Sequence, residues 1–230
     1  MNSLNLTYQS ALAQHQAGDV AQAEGLYNEV LANDPGHMDA IFNLAVLLAS
    51  QNRTNEAIPL YELVLEVLPD DPDTLSNMGN AYTNTGQLEQ AMDCYQRAIE
   101  GNPLLSAAHI NLGNLFFQQG HTDQAIERYH EAISIDPSAA NAHNNLGTIL
   151  LAAGRRDEAK ASYQAALKYD ADNPETLKNY GNILLSFGEI EDAADIMRQV
   201  VAIAPNWAPA QADLGLTLMR LDDFVPAREA

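Results

Sequence analysis

The sequence predicts an all-α fold, an α-solenoid of stacked antiparallel helix hairpins on a 34-residue repeat, and three observations predict it. Four columns of residues recur in register along the chain. Within each repeat the apolar residues follow helical spacing. The composition, 47% hydrophobic but only 7% aromatic over 230 residues, suits helices packed through small side chains better than a β-sandwich. Blocks counted from Leu4 need no gap. Position 20 reads Ala23, Ala57, Ala91, Ala125, Ala159, Ala193 and Ala227. Position 24 reads Tyr27, Tyr61, Tyr95, Tyr129, Tyr163 and Met197, and position 8 is Ala or Gly from Ala11 and Ala45 to Gly215. Position 32 is Pro35, Pro69, Pro103, Pro137, Ala171 and Pro205. Such a period is the signature of a repeat array.

Taken in order, six complete repeats are expected at 4–37, 38–71, 72–105, 106–139, 140–173 and 174–207, with a truncated seventh at 208–230. Each begins with a helix whose apolar stripe falls at positions 4, 7 and 11, as Leu75, Met78 and Tyr82 do in the third. Glycine at position 15 (Gly86, Gly120, Gly154, Gly188) ends that helix, because glycine accepts the left-handed conformation of a C-terminal cap. A second helix follows over positions 17–30 until the proline stops it. The small residues at positions 8 and 20 let the two helices approach, and the large residue at 24 fills the space beside them. The first repeat carries Thr7, Ser10 and Gln14 on its stripe, the polar face expected of a natural terminal repeat. In the second repeat Asn52 takes the turn-glycine column, and in the fifth Ala171 takes the proline column. The seventh opens normally with Leu214, Gly215 and Leu218, has Asp222 at the turn column, and is expected to halt partway through its second helix. The chain is therefore expected to be a piece of something longer, with an uncapped end open to end-to-end self-association. Helices this short are not stable alone, so each hairpin must bury its remaining apolar face on the next.

The formal net charge is −20, from 31 acidic and 11 basic residues. The first hundred residues contain Arg53 and Arg97 as their only Lys or Arg against 14 Asp and Glu. Nucleic acid is a poor partner for such a surface, since phosphate binding needs a basic face, and an anionic membrane would repel it. The acids read first as a solvated outer face and second as a field that steers a basic partner inward. Cys94 is the single cysteine, so no intrachain disulfide or cysteine-based metal cluster can form; a small core residue is expected there rather than a reactive thiol. The N-terminus lacks the basic and apolar regions of a signal peptide, and no apolar run reaches the length of a membrane span. Cytoplasmic location is the default expectation.

With these columns in place, and with a fourth block reading NLGNLFFQQGHTDQAIERYHEAISIDP, the chain resembles the tetratricopeptide-repeat family over essentially its whole length. The resemblance implies a right-handed superhelix whose first helices line the concave side, with positions 2, 5, 6, 9, 12 and 13 turned into it. Position 6 reads Gln9, Asn43, Asn77, Asn111, Asn145, Asn179 and Asp213, and position 9 adds Asn80, Asn114 and Asn182. Asparagine is a poor helix former, so the column asks for a reason. Its amide offers donor and acceptor together and can pair with a peptide N–H and C=O at once. Neighbouring helices lie roughly 10 Å apart and an extended peptide advances about 3.3 Å per residue, so one asparagine per repeat could hold every third residue. The double row is similar to the asparagine ladder in the repeat arm of O-linked N-acetylglucosamine transferases. The competing reading is that the column hydrogen-bonds within the scaffold. Phe42, Ile110, Phe117, Leu151 and Leu185 would either line side-chain pockets between the asparagines or pack against neighbouring helices. The family's carboxylate clamp begins at Lys178 and Asn182 but is broken by Asp213.

No nucleotide-binding glycine loop, HExxH or GxSxG motif is present. His109 and His143 share position 4 of adjacent repeats, yet no carboxylate or cysteine in register completes a metal set, so packing in the stripe is the expected role. No catalytic residue, metal or cofactor is expected within this chain. The functional expectation is a scaffold that binds an extended peptide or protein segment, with a basic partner as the second reading of the charge. The alternative is the substrate-recruiting arm of a larger enzyme, such as an O-GlcNAc-type glycosyltransferase, whose catalytic domain lies outside the sequence.

Overall fold

The computed structural model describes residues 3–229, with side chains described as far as Leu221. Among the described residues there are thirteen helices and no strand. They run α1 (Ser3–Gln16), α2 (Val20–Asn33), α3 (Met38–Ser50), α4 (Thr54–Val67), α5 (Pro72–Asn84), α6 (Leu88–Gly101) and α7 (Ser106–Gln118). After these come α8 (Thr122–Ile135), α9 (Ala140–Ala152), α10 (Arg156–Tyr169), α11 (Pro174–Ser186), α12 (Ile190–Ile203) and α13 (Ala208–Glu229). The chain divides into two compact units, Met1–Leu115 and Phe116–Ala230.

In the first unit α1 packs on α2, α3 on α4 and α5 on α6, while α2 meets α3 and α4 meets α5. The second repeats the scheme, with α8 on α9, α9 on α10, α10 on α11, α11 on α12 and α12 on α13. Each unit is thus a stack of helix hairpins, and the fold is an α-solenoid. Each even-numbered helix from α2 to α12 occupies positions 17–30 of its block, as the columns predict. The turn works as expected. Gly18, Gly86, Gly120, Gly154 and Gly188 all adopt φ between 77° and 79°. The next residue's N–H reaches five residues back, as in Gln87 N to Tyr82 O at 2.8 Å, the longer bond of a Schellman cap. Asn52 keeps the same turn at φ 63°, and Arg53 N still bonds Leu48 O at 2.9 Å. Asparagine is the other residue that tolerates this conformation.

The seventh block departs from expectation. Its backbone continues as one helix through Asp222 to Glu229, without a turn and without a separate second helix. Aspartate in the turn column supplies neither the glycine nor the asparagine that such a cap favours. The side chain of Asp222 itself, and that of Ala227 in the alanine column, lie outside the described residues.

The core is built on the four columns. Ala23, Ala57, Ala91, Ala125, Ala159 and Ala193 are fully buried, as are the rings of Tyr27, Tyr61, Tyr95, Tyr129 and Tyr163. Position 8 faces position 24 directly: a methyl on Gly79 would lie 2.5 Å from the Tyr95 ring, and one on Gly147 2.8 Å from Tyr163. Position 4 is not merely stripe packing. His109 Nε2 lies 3.0 Å from Pro103 O and His143 Nε2 3.0 Å from Pro137 O, and Gln211 Nε2 donates to Pro205 O. Each fastens the start of a first helix to the proline turn before it. Ion pairs between repeats are also columnar. Arg53 at position 16 meets Glu24 at position 21 of the preceding block at 2.8 Å, and in the other unit Glu189 meets Lys160 in the same two columns at 2.7 Å with the signs reversed. Partly exposed pairs of this kind are screened by solvent and contribute little net free energy, so they set register more than stability.

Cys94 is buried on α6, and desolvation, with the neighbouring Asp93 charge second, pushes its thiol up to about 11. Against its unshifted value of 9.0, that leaves about a hundredfold less thiolate at neutral pH. Labelling by Ellman's reagent at pH 8 is expected to be at least about a hundredfold slower in the native protein than in 6 M guanidinium. Comparable rates in the two states would mean the thiol is accessible.

Candidate functional site

In the first unit, α5, α6 and α7 surround a hollow of 410 Å³ lined by Asn80, Thr83, Asn84, Tyr95, Asn111 and Asn114. Three of the sequence-predicted asparagines meet here: Asn80 and Asn114 from position 9, Asn111 from position 6. Helical spacing puts position 9 one turn beyond position 6 on the same face, so successive first helices bring the two rows together. Every lining residue is uncharged and carries a hydrogen-bonding group.

The hollow's floor is held by the core. The Tyr95 hydroxyl donates to Asn80 Oδ1 at 2.7 Å and lies 3.1 Å from Thr83 Oγ1, which in turn donates to Gly79 O at 2.9 Å. Burial raises Tyr95 to about 12, partly offset by the Thr83 hydrogen bond, so the phenol is a neutral donor at physiological pH. That phenol takes one lone pair of the Asn80 oxygen and fixes the amide's orientation, with the Asn80 NH₂ as the donor end for a ligand. The tyrosine column, read from sequence as core filler, therefore has a second role. Tyr163 repeats it at a distance, its hydroxyl donating to Thr148 Oγ1 at 3.2 Å. Thr83 and Asn84 were not singled out from the sequence, although positions 12 and 13 of the inward-turned set could have marked them; Tyr95 had no such signal, because nothing in a second-helix column marks a hydroxyl that reaches the first-helix face.

The remaining asparagines are placed differently. Asn43 Nδ2 donates to both Asp39 O at 2.7 Å and Tyr8 Oη at 3.1 Å, and Asn77 Nδ2 donates to Asp73 O at 2.8 Å. These amides turn back on the carbonyl one helical turn before them, which is the scaffold reading of the column. In the second unit Asn179 Nδ2 donates to Asn144 Oδ1 at 3.2 Å, and Asn144 Nδ2 to Asn145 Oδ1 at 3.4 Å. Asn145 and Asn179 are thus joined through Asn144, a position 5 residue that the sequence reading did not single out. Asn182 is half-buried on α11. Lys178 lies over the Trp207 ring at 5.4 Å and 4.0 Å from Asp213 Oδ2, so the residue that breaks the carboxylate clamp also holds its lysine. Of the apolar candidates, Ile110 is buried as core, Phe117 is exposed and Leu151 and Leu185 are half-buried. Phe42 lines a second hollow, between α3, α4 and α5. Among the described residues no group of three or more His, Cys, Asp and Glu could hold a metal ion, and no helix is long and apolar enough to cross a membrane.

Comparison with known proteins bears on the whole chain. The family model described as Cilia and flagella-associated protein 70 C-terminal domain matches residues 6–230. No curated protein matches the sequence. Among solved structures, MamA protein is 26% identical, with a TM-score of 0.60 over 73% of this chain and 92% of its own. PilW, a widely conserved type IV pilus biogenesis factor, is 18% identical, with a TM-score of 0.80 over 95% of this chain and 99% of its own. A thermophilic tetratricopeptide-repeat protein of Thermus thermophilus is 22% identical, with a TM-score of 0.65 over 79% of this chain and 99% of its own. The last two similarities, at these identities, concern the fold alone.

Proposed function

Because the chain belongs to the tetratricopeptide-repeat family described by the Cilia and flagella-associated protein 70 C-terminal domain, we propose that it is a non-catalytic scaffold that holds an extended peptide segment of a protein partner along its first-helix face. The observation that carries this reading is the uncharged hollow in which Asn80, Asn84, Asn111 and Asn114 converge around the Tyr95 hydroxyl. Four amides supply both donors and acceptors, the requirement for pairing with peptide N–H and C=O groups. The core-anchored Asn80 is pre-oriented, so less ordering entropy is lost on binding. Main-chain recognition of this kind is tolerant of sequence, and specificity is left to side-chain pockets beside it.

The test is Asn111→Ala combined with Asn114→Ala. Both residues face the hollow and neither is buried, so helicity is expected to be unchanged. Losing two neutral hydrogen-bonding groups at about 1 kcal/mol each is expected to weaken peptide capture roughly thirtyfold, read by fluorescence anisotropy with a partner peptide from a library selected on the wild-type protein. Unchanged affinity of the double variant would sink the reading.

A further inference from the structure

The hollow between α3, α4 and α5 has a volume of 210 Å³ and a different chemistry from the first. Its wall includes Phe42 and Leu68, and three carboxylates, Asp39, Asp71 and Asp73, line it; no Lys, Arg or His does. Phe42 is held in place by Tyr61, ring centroids 6.2 Å apart and edge-on. Asp39 and Asp73 occupy position 2 of adjacent repeats, in the first turns of α3 and α5. Asp71 is already engaged, capping α5 by accepting from Thr74 N at 2.9 Å. Thr74, which also lines the hollow, is fully buried and its Oγ1 has no hydrogen-bond partner. Its counterpart in the same column, Thr176, lies with Oγ1 3.2 Å from its own capping Asn173 Oδ1. A buried hydroxyl without a partner is costly, and this one is at the wall of an acidic cavity.

We propose that this hollow is a side-chain pocket for a Lys or Arg of the bound peptide. Such a side chain has an apolar stem and a cationic head, matching a wall of Phe42 and Leu68 beneath the carboxylates of Asp39 and Asp73. A neutral apolar side chain would leave those carboxylates partly desolvated and unpaired. The pocket rests on the peptide-groove reading: Asn43 and Asn77, the position 6 amides of the same two helices, bond the main-chain carbonyls of Asp39 and Asp73, so the pocket lies on the face that carries the asparagine rows.

The experiment uses four fluorescein-labelled dodecapeptides of Ser and Ala that differ at one central residue, Arg, Lys, citrulline or Leu. Anisotropy is read against wild-type protein, Asp39→Asn with Asp73→Asn, and Asn111→Ala with Asn114→Ala. The Arg and Lys peptides are expected to bind wild type about tenfold more tightly than the citrulline and Leu peptides at low salt. That preference is expected to vanish in the aspartate variant, survive in the asparagine variant, and shrink as salt is added. The substitutions keep size and hydrogen-bonding capacity at two positions outside the core, and circular dichroism confirms folding. A cationic preference that persists in the aspartate variant, or equal binding of all four peptides, overturns the pocket. If the four bind equally and the asparagine variant still weakens them, the groove stands and only the pocket falls. If charge preference is lost with the aspartates but the asparagine variant binds as wild type, the pocket stands and the groove reading falls. Absence of binding by all four overturns both.

Discussion

Tyr95→Ala is expected to destabilise the protein by about 3–5 kcal/mol, the range for deleting a large buried aromatic side chain. The ring is 2% exposed, and Gly79 faces it so closely that a methyl there would be 2.5 Å away. Removing the ring leaves a cavity on the seam between α5 and α6, and glycine has no side chain with which to fill it. Tyr95→Phe keeps the ring and deletes only the hydroxyl that bonds Asn80 and lies against Thr83, so about 1 kcal/mol is expected. The pair of variants separates packing from orientation. Urea unfolding followed by circular dichroism should give a large drop for Ala and a small one for Phe, while peptide affinity should fall in Phe because Asn80 loses its anchor. A loss below about 1 kcal/mol for Tyr95→Ala would mean that the seam relaxes around the gap and that the column does not hold the repeat together.

The fold was legible because its physics is periodic. The alanine, tyrosine, small-residue and proline columns each answer one geometric demand, and the demand recurs every 34 residues. The turn at Asn52 survives the loss of glycine because asparagine tolerates the left-handed conformation. The unbroken α13 was not legible, because the expected second helix of the seventh block assumed that register alone would enforce a turn at Asp222. The site was legible only in outline. Asn80, Asn111 and Asn114 were named in advance and do converge. The same column, however, turns Asn43 and Asn77 back onto their own helices, and residue type cannot distinguish an amide spent on its helix from one spent on a hollow. For Asn43 a neighbouring helix presents Tyr8, whereas Asn111 faces an open space. The hydroxyl of Tyr95 and the bridging role of Asn144 were hidden for the same reason. Both are contacts between columns, whereas sequence reading proceeds along them. The paired columns 16 and 21 are the counter-example, since Arg53 with Glu24 and Glu189 with Lys160 invert together and could have been found by comparing repeats.

The same buried tyrosines predict that the fold fails in alkali between about pH 10 and pH 12. Desolvation raises Tyr95 and Tyr27 to about 12, and it also raises Tyr61, Tyr129 and Tyr163. An unfolded tyrosine ionises near pH 10. Below that pH both states are protonated and the full stability is present. Above it the unfolded chain releases protons that the native core retains, so stability falls as pH rises and goes on falling until the native phenols ionise. For Tyr95 alone the loss at pH 11 is about 1.4 kcal/mol, and each further member of the column adds to it in the same direction. The net charge of −20 grows more negative over the same interval, and self-repulsion adds to the effect. In a variant whose tyrosines outside the column (Tyr8, Tyr82, Tyr169 and Tyr180) are replaced by phenylalanine, absorbance at 295 nm, which reports phenolate, and ellipticity at 222 nm should therefore change together in one transition steeper than a single-proton titration. Tyr61→Phe should shift that transition to higher pH relative to its own stability at pH 8, because one ionisable member of the column is gone while its ring remains. Phenolate forming near pH 10 in the variant that keeps only the column tyrosines, with helicity intact, would show that the tyrosine column is hydrated in the native state rather than a dry stack of rings against alanine and glycine.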